Sequence, residues 1–347
     1  MGTRVSMARL RHVDCAEPGL TRRRYGRGFA YLDEEGRPVR DEAVIDRIRS
    51  LAIPPAWRDV WICVAENGHL QAVGTDDAGR RQYLYHPRWR LHRDREKFEG
   101  MLDFARSLPA MRRRTEKLLA GEGLSRERVL ACAVSLLDRG LFRIGGEEYA
   151  EANGSYGLST LERRHVEANG SGTLRFDFEG KTGKRQTLEV HGRAIYDVGS
   201  ELIRSRRRST RFLVYRDGRR YVDVRAEDVN AFVKELVGSD FSAKDFRTWH
   251  ATVLAAVAVA ASDEPGTAAG RKRAVTHAVE DVSDALGNTP AVSRASYIDP
   301  RVFDRFRAGA TIAGTLEQAA WQPGRPLTAT RQAKVEAAVL DLLGEPT

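Results

Sequence analysis

The chain has 347 residues, 41% hydrophobic and 30% charged, a balance that excludes wholesale disorder and leaves room for about two domains. Its 57 Lys and Arg against 48 Asp and Glu give a net charge of +9, which favours phosphate-bearing or anionic-lipid partners over acidic macromolecules. Cys15, Cys63 and Cys132 form no CxxC pair and the eight histidines show no HExxH spacing, so zinc sites and a disulfide framework are disfavoured.

The opening MGTRVSMARLRHVD lacks the apolar core of a secretion signal, and MGTRVS matches only a loose lipidation pattern. The longest apolar run, VLAAVAVAA at 253–261, falls well short of the roughly 20 residues that span a bilayer. A cytoplasmic protein is expected.

From 26 to 90 short β-type runs alternate with turn signals. GFAYLDEEGRPV is followed by DVWICVAENGHLQAVGTDDAGRRQYLY, with DEEGRP, ENG and DDAG as the turns. This predicts a small, mostly antiparallel sheet, with one helix at DEAVIDRIRSL ended by the prolines of IPPAW.

After residue 93 the apolar period becomes helical. In SRERVLACAVSLLDRG, Ser125 is the expected N-cap, Val129, Leu130, Ala133, Leu136 and Leu137 form one face, and Gly140 marks the end. In KRAVTHAVEDVSDALGNTP, Val275, Val279, Val282 and Leu286 repeat that stripe and Gly287 stops it. Hairpins are predicted at 174–191 and at 212–224 around Asp217-Gly218. The fold class is therefore α+β. A β-rich amino-terminal domain spans 1–93, its first 20 residues read as a flexible lead, and a larger, mainly helical domain with inserted hairpins spans 94–347.

GKT at 180–182 does not belong to a P-loop, because that pattern needs glycine five positions before Gly180, where Arg175 stands in an alternating strand. No ATP use is predicted. Arg143 follows an apolar helix in LFRIGGEEY, and Arg247 precedes the most hydrophobic one in KDFRTWHATVLAAVAVAA. Desolvating a guanidinium there is costly unless it caps a carbonyl, pairs with an acid or meets an anion. His250, on the same apolar helix, reads as a packed structural residue.

LFRIGGEEY, FEGKTGK, KDFRTW and NTPAVSRASY, in that order, resemble the active-site segments of type IB DNA topoisomerases of the poxvirus-like and bacterial branch. The resemblance continues through IPPAWRDVWI and VGTDDAGRRQYLYHPRWR and covers about residues 24 to 310. It implies the DNA breaking-rejoining fold and an isomerase that needs no cofactor, ATP or metal. Such an enzyme would act on supercoiled duplex DNA as a monomeric clamp, associated with the nucleoid.

The resemblance makes Tyr297 the nucleophile that becomes joined to a 3′ phosphate, with Arg143 and Arg247 gripping the nonbridging oxygens. Lys181 would protonate the departing 5′ oxygen with help from Arg143, and Lys184, three positions on, is its runner-up. Many family members carry histidine nine residues before the tyrosine; here Asn288 stands there, able to donate a hydrogen bond but not to transfer a proton. Gln82, Tyr83 and Tyr85 would meet the major groove and backbone, with Arg80 and Arg81 beside them, and Tyr149 occupies a second contact position. The basic run RSRRRSTR at 204–211, with Arg206, Arg207 and Arg208, is a solvated loop or a flanking phosphate contact.

Elementary chemistry agrees with this set. Attack on a phosphodiester gathers negative charge on the equatorial oxygens, which arginine forks stabilise. A tyrosine of ordinary pKa about 10 is a weak nucleophile until nearby cations favour its phenolate, and a leaving alkoxide needs an acid. Two rival readings share part of the evidence: a tyrosine recombinase, whose amino-terminal DNA-binding domain is usually helical, and a non-catalytic duplex-DNA binder.

Overall fold

Two turns of one design shape the amino-terminal sheet. In DEEGR, Asp33 accepts hydrogen bonds from the backbone of Glu35 and Arg37 and from the Arg37 guanidinium, while Gly36 takes φ 77°. In DDAGR, Asp76 accepts from the backbone of Ala78 and Arg80 and from the Arg80 guanidinium, while Gly79 takes φ 75°. The glycines serve because a Cβ disfavours positive φ. The second turn joins β4 (Leu70–Thr75) to β5 (Arg81–Tyr85), and with β1 (Leu20–Tyr25), β2 (Gly28–Leu32) and β3 (Arg58–Ile62) they form one antiparallel sheet in the order β2-β1-β3-β4-β5.

The computed structural model describes residues 9–147, 150, 154–263, 266–322 and 328–344. The chain divides into two compact units, Met1–Glu99 and Gly100–Thr347. In the first, α1 (Glu42–Ser50), N-capped by Asp41, buries Ile48 against Leu20, Val60, Ile62 and Ala72. Strand β1 lies ahead of the predicted sheet. Its LTRRRY carries no apolar alternation, and Arg22 is held by the carbonyls of Ile53, Pro54 and Trp57. Within the segment expected as a flexible lead, Val13 is buried with Cys63, Leu70 and Val73, and His12 stacks on His69 at 4.0 Å.

Helix α2 (Pro87–Leu119) starts in the first unit and runs into the second. Proline suits a helix start because the first N–H groups have no intrahelical partner. Next comes α3 (Arg126–Gly140), capped by the Ser125 hydroxyl and buried almost all round. It ends one residue later than expected: Leu141 takes the left-handed conformation, at φ 57°. Gly140 serves packing instead, since a Cβ there would lie 2.2 Å from the Phe142 ring.

The three-stranded antiparallel sheet of β6 (Val166–Ala168), β7 (Thr173–Glu179) and β8 (Arg185–His191) follows, then α4 (Arg193–Arg204) and the hairpin of β9 (Val214–Asp217) and β10 (Arg220–Asp223). The rest is helical: α5 (Ala226–Val237), α6 (Ala243–Ala260), α7 (Ala268–Leu286), α8 (Pro290–Ser296), α9 (Pro300–Arg307), α10 (Ala313–Gln318) and α11 (Ala329–Gly344).

A charged network sits inside this unit. Arg112 on α2 makes bidentate contacts at 2.8 Å with Asp138 on α3 and contacts at 2.7 and 2.9 Å with Glu336 on α11. His250 on α6 lies 3.6 Å from Asp138. The partnered guanidinium outweighs burial and holds the Asp138 carboxyl far below the usual carboxylate range. His250 is thus packed against this network, and α11 is anchored to the core. Among the described residues no helix is long and apolar enough to cross a membrane.

Candidate active site

Helix ends build the site. Helix α6 opens with a capping box in which Ser242 and Asp245 satisfy each other's backbone N–H groups or nearby ones. One turn in stands Arg247, only 4% exposed. Its guanidinium donates to the Leu286 carbonyl at 2.8 Å, at the end of α7, and to the Leu141 carbonyl just past α3. Helix C-termini leave such carbonyls without partners and carry partial negative charge, so they suit a buried cation. The carbonyl-capping role and the catalytic expectation thus fall on one side chain. Its Nε has no hydrogen-bond partner among the described residues. Burial, with the Arg143 charge, pushes the Arg247 pKa down to about 10, so it stays charged at neutral pH.

Asn288 is placed by the end of α7. Gly287 takes φ 62° and donates to Asp284, while the Asn288 N–H reaches back to the Ser283 carbonyl at 2.9 Å, a closure that favours glycine at the left-handed position. The Asn288 carboxamide oxygen accepts from the Arg143 guanidinium, and its Nδ2 is buried with no partner among the described residues. A flipped amide would point its NH2 at a cation, so the acceptor end is fixed and the donor end remains available.

Arg143 lies on a loop clamped by two glycines. Gly145 takes φ 89°, and a Cβ on Gly157 would lie 2.5 Å from the Gly145 Cα. The close approach lets Leu158 and Ser159 donate to the carbonyls of Arg143 and Ile144, both at 2.8 Å.

Tyr297 follows α8, which starts with Thr289 as N-cap and Pro290. Its N–H donates to Ser293 at 3.0 Å. The buried Thr252 hydroxyl on α6 lies 3.3 Å from the Tyr297 carbonyl and accepts from the Asp299 N–H at 3.1 Å. Asp299, fully buried, then caps α9 and pairs with Arg301. The tyrosine is therefore held from both sides of the chain. The Arg247 guanidinium lies 5.5 Å from its ring centroid. Burial alone would raise the Tyr297 pKa, but Arg247, then Arg143, outweigh it and bring it below the usual tyrosine value.

Lys181 sits in the tight turn between β7 and β8, where Gly180 donates to Lys184 at 2.9 Å and Gly183 takes φ 72°. It lines one narrow cleft with Arg143, Tyr156, Gln186, Arg247 and Gly287. Lys184 lies instead 3.8 Å from Asp284 on α7. The five residues expected at the reaction centre are thus brought together, with Lys181 rather than Lys184 in the cleft. Thr252 and Gln186 were not expected. A threonine inside an apolar helix and a glutamine on an alternating strand carry no sequence signal of their own.

The expected DNA-contact residues divide. On β5, the sheet edge, Leu84 packs into the core while Tyr83 and Tyr85 are 43% and 38% exposed and stacked at 6.2 Å. Arg81 stands 5.9 Å over the Tyr83 ring and donates to Cys15 at 2.8 Å. Arg80 and Gln82 are both tied to Asp76, so their first role is in the turn. Arg206 and Arg208 are exposed. Arg207 departs from the expected surface contact. It turns inward, donates to the carbonyls of Leu202, Arg211 and Phe212, and burial pushes its pKa down to about 10. Tyr149 lies outside the described residues.

Comparisons with known proteins agree with this geometry. The family model described as "Eukaryotic DNA topoisomerase I, catalytic core" matches residues 86–318, and that described as "Bacterial DNA topoisomerase IB, N-terminal domain" matches residues 28–76. The chain is also 30% identical over 292 residues to the protein named DNA topoisomerase 1B of Acanthamoeba polyphaga mimivirus, covering 81% of this chain and 85% of that one. These matches place it among enzymes that change DNA topology, against the recombinase and non-catalytic readings. The chain belongs to the type IB DNA topoisomerase family.

Proposed function

We propose that the chain relaxes supercoiled duplex DNA by transesterification through Tyr297, without ATP or a metal, and that it does so as a monomer clamped on the duplex. The observation that carries this reading is the Tyr297 hydroxyl, buried beside Arg247 and Arg143, with its pKa lowered despite burial. The Tyr297 phenolate attacks a backbone phosphorus, the bond to the 5′ oxygen breaks, and a 3′-phosphotyrosyl ester forms.

Arg143 and Arg247 hold the nonbridging oxygens as charge builds, and the unpartnered Arg247 Nε and Asn288 Nδ2 offer two further donors to them. Lys181 gives its proton to the departing 5′ oxygen, assisted by Arg143. The free strand then rotates. Religation reverses each step, and the ester retains the energy of the broken bond. Exposed Tyr83, Tyr85, Arg81, Arg206 and Arg208 bind the duplex, mainly through phosphates.

The test is relaxation of a negatively supercoiled plasmid in EDTA without nucleotide. Wild type relaxes it and Tyr297→Phe does not. Relaxation by Tyr297→Phe at the wild-type rate contradicts the reading.

A further inference from the structure

Gln186 lies between two glycines that belong to different catalytic turns. Its Cγ is 2.8 Å from where a Cβ on Gly180 would stand, and its amide nitrogen is 2.8 Å from where a Cβ on Gly287 would stand. Gly180 immediately precedes Lys181, and Gly287 immediately precedes Asn288. An alanine at either glycine would force Gln186 to move. At Gly287 the amide end would have to shift, and at Gly180 the less mobile stem would. The side chain is half-buried, lines the cleft, and among the described residues makes one long 3.4 Å bond, to the Arg185 carbonyl. Its contribution is therefore contact rather than hydrogen bonding. A second link runs alongside, from Lys184 on the hairpin to Asp284 on α7 at 3.8 Å, but both of its groups are largely exposed, where an ion pair contributes little.

We infer that Gln186 is a positioning residue that docks the β7–β8 hairpin on the α7–α8 turn and so fixes Lys181 relative to Asn288 and Arg143. The chain of contacts is continuous: Lys181 follows Gly180, Gly180 rests on Gln186, Gln186 rests on Gly287, and Asn288 accepts from Arg143. Without the wedge, the hairpin loses this contact with the turn, the exposed ion pair replaces little of it, and Lys181 samples positions from which proton delivery fails. The inference rests on the reading of Lys181 as general acid.

Lysine's contribution is needed only while the leaving oxygen is a strong base, which gives a readout that a merely structural role would not move. In single-turnover cleavage, Gln186→Ala is expected to slow reaction on ordinary DNA by about tenfold, since small misplacement of a catalytic group is costly. On DNA whose leaving 5′ oxygen is replaced by sulfur the loss shrinks to about twofold or less. Gln186→Met keeps the stem and fills the seat without an amide, and restores most of the rate on ordinary DNA.

Lys181→Ala, run in parallel, gives a larger defect on ordinary DNA that sulfur also relieves. A sulfur effect for Lys181→Ala together with equal losses on both substrates for Gln186→Ala, or with no loss at all, overturns the coupling and leaves Lys181 in place. No sulfur effect for Lys181→Ala overturns the general acid itself, and the coupling with it.

Discussion

The Arg143 guanidinium donates to the carboxamide oxygen of Asn288, which leaves the Asn288 Nδ2 buried and unpartnered. On the proposed mechanism, a neutral residue thereby orients an arginine that grips the phosphate while keeping its own donor for the same phosphate. Asn288→Ala removes both effects and is expected to slow cleavage by about tenfold or more. Asn288→Asp is expected to be worse, because a carboxylate would compete with the DNA phosphate for Arg143. Single-turnover cleavage rates of the two variants decide it; an Asp variant as active as wild type would remove Asn288 from the phosphate site.

The lowered Tyr297 pKa predicts the pH profile of cleavage. Below the folded pKa the phenol holds its proton, so the rate falls as pH falls and rises with pH until the phenolate is fully formed. That plateau should begin below the ordinary tyrosine value of about 10. Arg247→Ala removes the largest of the lowering charges and should move the rise to higher pH as well as slow the reaction. The rate of covalent adduct formation between pH 5 and 10 measures both.

Folding stability is expected to depend on Asp138, which partners Arg112 inside the second unit. Asp138→Ala leaves Arg112 buried with half its partners and is expected to cost about 3–5 kcal/mol, read by chemical denaturation. Because the folded pKa is depressed, the contribution of Asp138 is present above the unfolded value near 4 and is lost as pH falls below it. The stability gap between wild type and Asp138→Asn should therefore narrow on acidification from pH 5 downward.

The basic run at 204–211 should separate by residue. Arg206→Ala and Arg208→Ala are each expected to reduce the salt dependence of DNA binding by about one unit of slope with little change in melting. Arg207→Ala removes its bonds to three carbonyls, so it should lower the melting temperature and leave the salt slope nearly unchanged. Melting curves and salt titrations on one duplex distinguish the three.

Much of this was legible because the signals were local. Ser125 caps α3 and Gly287 stops α7 where the sequence puts them, and both D-x-x-G-R turns follow from aspartate acceptors and a glycine of positive φ. The misses are places where tertiary contact overrides the local rule. Gly140 looked like a stop, but the Phe142 ring claims its open side and Leu141 takes the left-handed turn. The arginines of β1 hid a strand because Arg22 finds carbonyls 31 to 35 residues away. Arg207, read as a surface cation in a basic run, is drawn inward by carbonyls the run itself leaves open. At the site, Tyr297, Arg143, Lys181 and Arg247 were visible as motifs, whereas Thr252 and Gln186 act through contacts that only folding creates.

On the proposed mechanism, Tyr297 breaks one strand and holds it through its 3′ phosphate. Trapping the reaction with denaturant, digesting the protein and sequencing the DNA-bearing peptide tests this directly. A single adduct is expected on the tyrosine of the peptide containing Tyr297, attached to a 3′ phosphate and leaving a free 5′ hydroxyl. An adduct on another residue, or attachment to a 5′ phosphate, would contradict it.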